Sequence, residues 1–388
     1  MNAGKYVFSQ VTSLLDPNDF IKCVKKYNGN YKVKHFTCWH QLMCLIFGQL
    51  SHRESLSDLI TCLNSQRTQW YHLGLGTGIS KNNLAHANEH RDWRIFADYA
   101  YTIIDQARKV CIDNSDFEVK VNGNVYAVDS TTIDLCLNVF WWAKFRKHKG
   151  AVKMHTQLDV KSSIPTFIQI SDGSVADVNF LDFLEIESGA FYILDRGYWD
   201  LDRLYNIHRN YAFFVTRLKT NTNYRRLYSA KTDRSTGVLC DQTIKFNNYY
   251  AAKDYPEKLR RIKYHDKETN LTFEFATNNF ELSALEIAQL YKQRWQVELF
   301  FKWIKQHLKI KAFWGYSENA VRIQIYTAII AYLTVLIMKE KMKISHTTYE
   351  VLQILSITML NKTQLNQLFE RHALQEPNED DYNQLVLF

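Results

Sequence analysis

The sequence predicts an α/β protein: a mixed sheet with flanking helices, preceded by a helical N-terminal domain and interrupted by a β-rich insertion. Three observations carry this. Apolar residues recur at three- and four-residue spacing through much of residues 1–120. Short apolar runs of strand length then alternate with helical segments between residues 122 and 218. Long helical patterns return after residue 283, beyond a stretch rich in Tyr, Asn, Thr, Lys and Arg. At 388 residues the chain exceeds the roughly 250–300 at which a single core stops growing, so two or three domains are expected. Four prolines and 13 glycines exclude collagen-like and Pro/Gly-rich disordered chains.

Residues 41–49, 55–63 and 92–108 read as helices. The segment LGLGTG at 73–78 follows no strand and lacks GxGxxG spacing, so it is a loop and not a phosphate cradle. Ser80 can cap a short helix through Asn88. The polar run ISKNNLAHANEHRDWR, followed by a longer helix, is similar to a helix-turn-helix recognition element, a common pattern. From Asn122 the texture changes. Strands are expected at 125–128, 152–160 and 166–170, with a turn at Asp172-Gly173. A short helix at 179–187, a strand at 191–194 ending at Asp195, a helix at 201–209 and a strand at 212–218 follow. That order matches an RNase H-like fold, a mixed sheet with helices on both faces. Residues 220–281 read as the β-rich insertion, alternating at 259–264 and 272–277. Helices resume at 283–308, 317–342 and 347–360, the first opened by a Ser283/Glu286 capping box. Residues 376–388 form an acidic tail.

The net charge is +8, and its distribution is uneven. No acid lies between Asp134 and Asp159, nor between Asp202 and Asp233, while both stretches carry several Lys and Arg. Each alone fits a solvated basic face; together they favour a polyanionic partner. Seven cysteines without a CxxC argue against a disulfide framework or zinc ribbon. The N-terminus MNAGKYVFSQ has no signal-peptide core, and the apolar run at 325–338 is 14 residues, short of a bilayer span. It reads as a buried core helix of a soluble, cytoplasmic protein.

Residues 291–305, YKQRWQVELFFKWIK, place Tyr291, Arg294, Trp295, Glu298, Lys302 and Lys305 on one helical arc of roughly 100°. Leu290, Val297, Phe300, Phe301 and Ile304 lie outside it. A solvated amphipathic helix accounts for the charges, but less well for two aromatics on the polar stripe. Asp129 and Asp195 each end a short apolar strand, VYAVD and FYILD. One such Asp is ordinarily a turn or cap residue. Two of them with a helical Glu form a set that can bind two hard divalent ions about 3.5–4 Å apart, as in metal-assisted phosphoryl transfer.

Tyr291, Arg294, Glu298 and Lys305 spell Y-x2-R-x3-E-x6-K, which resembles the signature of IS4-family DDE transposases. AVDSTTIDL around Asp129, ILDRGYWD around Asp195 and FRKHKGAVKMH look like the same family, and NNLAHANEHRDWRIF is similar to the helical domain of one branch. The resemblance implies a cut-and-paste transposase of an insertion sequence, with Asp129, Asp195 and Glu298 as catalytic metal ligands for two Mg²⁺ ions (Mn²⁺ as a substitute). It implies nicking at the element end, hairpin formation and strand transfer, with Tyr291, Arg294 and Lys305 on terminal phosphates. Domains would be 1–120, helical and DNA-binding; 121–375, catalytic and RNase H-like, holding the 220–281 insertion; and 376–388, the tail. Partners would be double-stranded DNA, as element ends with inverted repeats and as target, bound by a dimer at the nucleoid, with no membrane. Trp295, on the same face, is proposed to stack on an extruded base. An insertion aromatic would assist, but the insertion has no Trp and no Tyr or Phe stands out. Lys302, Lys144, Arg146, Lys147, Lys149 and Lys153 are expected DNA contacts. His148 and His155 are assigned to DNA or structure, because hard Mg²⁺ prefers oxygen. The alternative is a non-catalytic DNA-binding descendant; a junction-resolving nuclease is disfavoured by the chain's length and insertion.

Overall fold

The computed structural model describes residues 4–111, 121–136, 138–146, 149–308, 310 and 312–370, with 144–146 and 149 as backbone only. The N-terminal part contains α1 (Val7–Thr12), α2 (Pro17–Lys26), α3 (Cys38–Leu50), α4 (Leu56–Asn64), α5 (Lys81–His90) and α6 (Arg94–Val110). Local chemistry fixes their starts. Asp16, Thr37, Ser55 and Ser80 each accept a first-turn backbone N–H, and Thr37 closes a capping box with His40. α3 is apolar nearly all round and is buried accordingly.

The sheet comprises β1 (Val125–Leu135), β2 (Lys144–Arg146), β3 (Lys149–Asp159), β4 (Ile164–Asp172), β5 (Phe191–Leu194), β6 (Phe213–Arg217), β7 (Tyr224–Ser229), β8 (Val238–Phe246), β9 (Leu259–Asp266) and β10 (Leu271–Thr277). Helices α7 (Leu201–Arg209) and α8 (Tyr249–Asp254) intervene. β3 lies antiparallel to β1 and β4, whereas β1, β5 and β6 run parallel. The insertion continues the same sheet: β10 returns antiparallel to β6, and β9, β8 and β7 follow to the edge. β1 runs beyond the expected 125–128, because β3 pairs with it from Tyr126↔Asp159 to Leu135↔Gly150. Asp129 therefore sits inside a strand, at the point where the parallel pairing with β5 ends. The segment after β4 is a 3₁₀ helix, Asp177–Phe183, in place of the α-helix expected at 179–187. So short a segment forms few α-type bonds to offset nucleation.

The C-terminal helices are α9 (Ala284–Lys292), α10 (Trp295–His307), α11 (Glu318–Met342), α12 (Thr348–Thr358) and α13 (Leu365–Leu368). The single helix expected from Ser283 is thus broken. At Gln293 and Arg294 the backbone stays helical, but their N–H groups bond three residues back, to Leu290 and Tyr291, tightening the turn. α11 is longer than its apolar run and is long and apolar enough to cross a membrane, yet 89% of that window is buried inside the protein. It packs on α3 and α6. One continuous apolar cluster joins the N-terminal helices, α10, α11 and one face of the sheet, including Ala127 and Ile193. Val128, Leu194 and Phe214 face a second cluster under α7. All seven cysteines are free thiols.

Candidate active site

The parallel register Val128↔Leu194 sets the next residues, Asp129 and Asp195, side by side where that pairing ends, inside β1 and just past β5. α10 packs across β1 and brings Glu298 to the same place. Arg294 bridges the set, with Nη1 3.3 Å from an Asp129 oxygen and Nη2 2.6 Å from Glu298. Tyr291 donates a long 3.5 Å contact to Asp195. The stripe read from the sequence therefore faces the end of the sheet: Tyr291 is buried against Phe275, and Arg294 is largely covered. Lys305 donates to the Thr132 carbonyl at 2.7 Å, and Lys302 is exposed.

Burial raises the Asp129 carboxyl to about 6, with Asp195 and Glu298 adding to the rise. The Ser130 N–H, 2.8 Å away, and Arg294 oppose it. Burial lowers the Arg294 pKa, but Glu298, Tyr291 and Asp129 outweigh it, and the net shift is upward. Its Nε–H is buried without a hydrogen-bond partner. Tyr291 is pushed up to about 12 by burial and stays a neutral donor.

The three carboxylates are hard oxygen donors of the kind Mg²⁺ takes. Among the described residues, however, no three acidic, His or Cys groups surround a common point as metal ligands would. Arg294 is the cation between Asp129 and Glu298 here. The donor set fits a divalent metal in kind, and binding one requires the guanidinium to give way.

Several expected contacts change. Lys153 is not a free DNA contact: its ammonium lies 3.1 Å from Asp177 and 2.8 Å from the Val175 carbonyl, almost wholly covered. It pairs with Thr132, an odd three residues from Asp129 along β1, which turns it to the face opposite Asp129, where Asp177 lies. His155 is structural: buried, bonded to the Ser171 hydroxyl, stacked on Phe180 and lowered to about 4 by burial. Lys147 and His148 lie outside the described residues. Lys144, Arg146 and Lys149 are placed by backbone alone, on the β2–β3 hairpin. Trp295 is 55% exposed at the edge of the sheet's β6, β9 and β10 residues. It lines a pocket of about 170 Å³ with Arg217, Tyr264 and Phe273, and Arg217 lies 4.6 Å above the Phe273 ring. A pocket of about 720 Å³ where β1 begins is lined by none of the carboxylates.

Sequence reasoning missed the support behind Asp129. Ser130 donates its hydroxyl to Asp177 at 2.7 Å while its N–H holds Asp129. Nothing in the local pattern around Asp177 marks it. Arg217 was visible only as one charge in an acid-free stretch.

Residues 122–334, more than half of the chain, match the family described as "Transposase DDE domain". The chain belongs to the DDE transposase family. Residues 3–76 match a second family, "Domain of unknown function (DUF4372)". Among curated relatives, "Putative transposase y4zB" of Sinorhizobium fredii is 37% identical over 64% of this chain and 68% of its own. "Probable transposase for insertion sequence element IS5377" of Geobacillus stearothermophilus is 30% identical over 53% of this chain and 54% of its own. "Putative transposase for insertion sequence element IS4SA" of Synechocystis is 26% identical over 77% of this chain and 83% of its own. In this DDE transposase the matched region spans Asp129, Asp195 and Glu298.

Proposed function

We propose that this transposase is of the IS4 type and cuts and joins DNA by metal-assisted phosphoryl transfer at Asp129, Asp195 and Glu298. The observation that carries the reading is the nearness of Asp195 and Glu298 to Asp129 where the β1–β5 pairing ends, with Arg294 bridging Asp129 and Glu298. The strand order β4-β3-β1-β5-β6, with β1, β5 and β6 parallel, supports an RNase H-like core for residues 121–375. When bound, a pair of Mg²⁺ or Mn²⁺ ions would polarise the scissile phosphodiester and its nucleophile. Asp129, Asp195 and Glu298 would hold those ions. Arg294, released toward the substrate, offers planar donors to a phosphate, with Lys305 and Tyr291 beside it. Element ends are nicked, the freed 3′-hydroxyl attacks the opposite strand, and the strand bends into a hairpin. A base leaving the stack there finds Trp295 as a platform and Phe273 as the insertion aromatic. Two ends are held together by a dimer.

Cleavage of a labelled duplex bearing the inverted repeat that flanks the coding sequence, with Mg²⁺, tests this. Metal-dependent nicks and hairpins are expected from the wild type and from neither Asp129→Asn nor Glu298→Gln. Trp295→Ala is expected to nick normally and lose most of the hairpin product. Tight DNA binding without cleavage in Mg²⁺ and Mn²⁺ would reject the enzyme in favour of a non-catalytic DNA-binding descendant.

A further inference from the structure

Helix α5 has one anchored side and three open ones. Leu84, Ala87 and Asn88 are buried, and Asn88 is tied to Gln41 and Asn319. At about 100° per residue, Asn82, His86 and Glu89 share an arc of about 60° opposite Leu84. All three are exposed. A trough runs along each flank of this ridge. One, of about 540 Å³, lies between His86, His90 and the loop bearing Tyr31, Lys32 and Lys34. The other, of about 530 Å³, lies between Lys81, Ala85 and the hydroxyl-bearing Ser55, Ser57, Tyr316 and Ser317.

The first trough's charges suit a polyanion; the second holds Lys81 with Glu89 beside it. Lys32, Lys34 and Lys81 are exposed at the troughs. Asp92, the acid in the first trough, is already held by Arg94 at 2.5–3.0 Å. The stacked His86 and His90 rings, 4.1 Å apart, stiffen one side of the ridge. A helix with its side chains is about 10–12 Å across, and the major groove of duplex DNA is about 12 Å wide. In shape, a ridge between two troughs is the negative image of that groove between its two sugar–phosphate strands.

We propose that α5 reads duplex DNA sequence through Asn82, His86 and Glu89, with one phosphate strand in each trough. The inference rests on the transposase reading and adds where the DNA is recognised. Asn82 suits the N6/N7 edge of adenine, and Glu89 accepts from the N4 of cytosine. Lys32 and Lys34 hold one strand; Lys81 holds the other. Residues 3–76, matched to a domain without an assigned function, supply the Tyr31–Phe36 loop that walls the first trough and, with Tyr316 and Ser317, the Ser55 and Ser57 wall of the second.

The test uses full-length protein in EDTA, mixed with a pool of duplexes carrying a randomised core. Retained duplexes are sequenced. Wild type and Asp129→Asn are expected to enrich the same motif. The Asn82→Ala/His86→Ala/Glu89→Ala protein is expected to lose preference at about three or four adjacent positions and to bind the enriched duplex at least about 10-fold more weakly. The Lys32→Ala/Lys34→Ala protein should bind every duplex more weakly, with a salt slope shallower by about one per lysine. These side chains are exposed, so melting temperatures should match the wild type. If the triple variant enriches the wild-type motif with wild-type affinity, α5 is not the reader, whatever the cleavage assay gives. A wild type that cleaves DNA with metal but enriches no motif also overturns the inference and leaves the enzyme reading standing. A wild type that neither retains nor cleaves DNA overturns both.

Discussion

At the residue scale, Asp129 is placed against its own stability. Its carboxyl, raised to about 6 by burial and by Asp195 and Glu298, is charged at neutral pH in a site that disfavours the charge. A carboxyl whose folded pKa lies above its unfolded value stabilises the fold below the unfolded pKa, near 3.8, and that contribution is lost as pH rises through about 6. The gap of about two units corresponds to about 3 kcal/mol. Asp129→Asn, melted in EDTA, is therefore expected to be more stable than the wild type above about pH 7, with the margin closing near pH 4. An unchanged or lower melting temperature at neutral pH would show that Arg294 already neutralises the strain. Sites that hold charge for chemistry commonly cost stability in this way.

At the element scale, the insertion is pinned by one buried ion pair. Arg260 on β9 donates to both oxygens of Asp241 on β8, at 2.9 and 2.7 Å, and to the Leu282 carbonyl just before α9. One guanidinium thus ties β9 and the start of α9, which line the Trp295 pocket, to β8. Arg260→Ala leaves Asp241 buried without its cation and is expected to destabilise by about 3–5 kcal/mol, read as a lower denaturant midpoint. A loss below about 1 kcal/mol would mean that water reaches Asp241 and takes over its solvation. The broken helix is legible only at this scale. Tyr291, Arg294 and Glu298 are spaced in the sequence as if on one ideal helix, but Phe275 packing on Tyr291 and the Arg294 bridge to β1 hold a tightened turn between α9 and α10.

For the whole molecule, the apolar cluster that joins the N-terminal helices to the sheet through α11 predicts cooperative unfolding. A chain of 388 residues ordinarily melts in more than one step. Here calorimetry of the metal-free protein is expected to give one transition spanning both parts. Two separable peaks would mean that the helical part and the sheet are energetically independent despite the shared core. The acid-free, basic stretches disperse in three dimensions: Lys153 turns inward to Asp177 and Arg217 covers Phe273, while Arg225 and Arg226 on β7 stay exposed.

The sequence by itself determined much of the element order, the caps at Ser80 and Ser283, and the places of Asp195 at a strand end and Glu298 on a helix. These depend on local periodicity, turn chemistry and short-range hydrogen bonds. Only the tertiary structure decided the extent of β1, the joining of the insertion to the main sheet, the Arg294 bridge and the Ser130–Asp177–Lys153 support. Each depends on a partner tens of residues away in sequence: β3 for β1, β6 for β10, α10 for β1. Hydrogen-bond partners and buried charges at that separation leave no period in the chain, so the residues could be named from the sequence while their contacts could not.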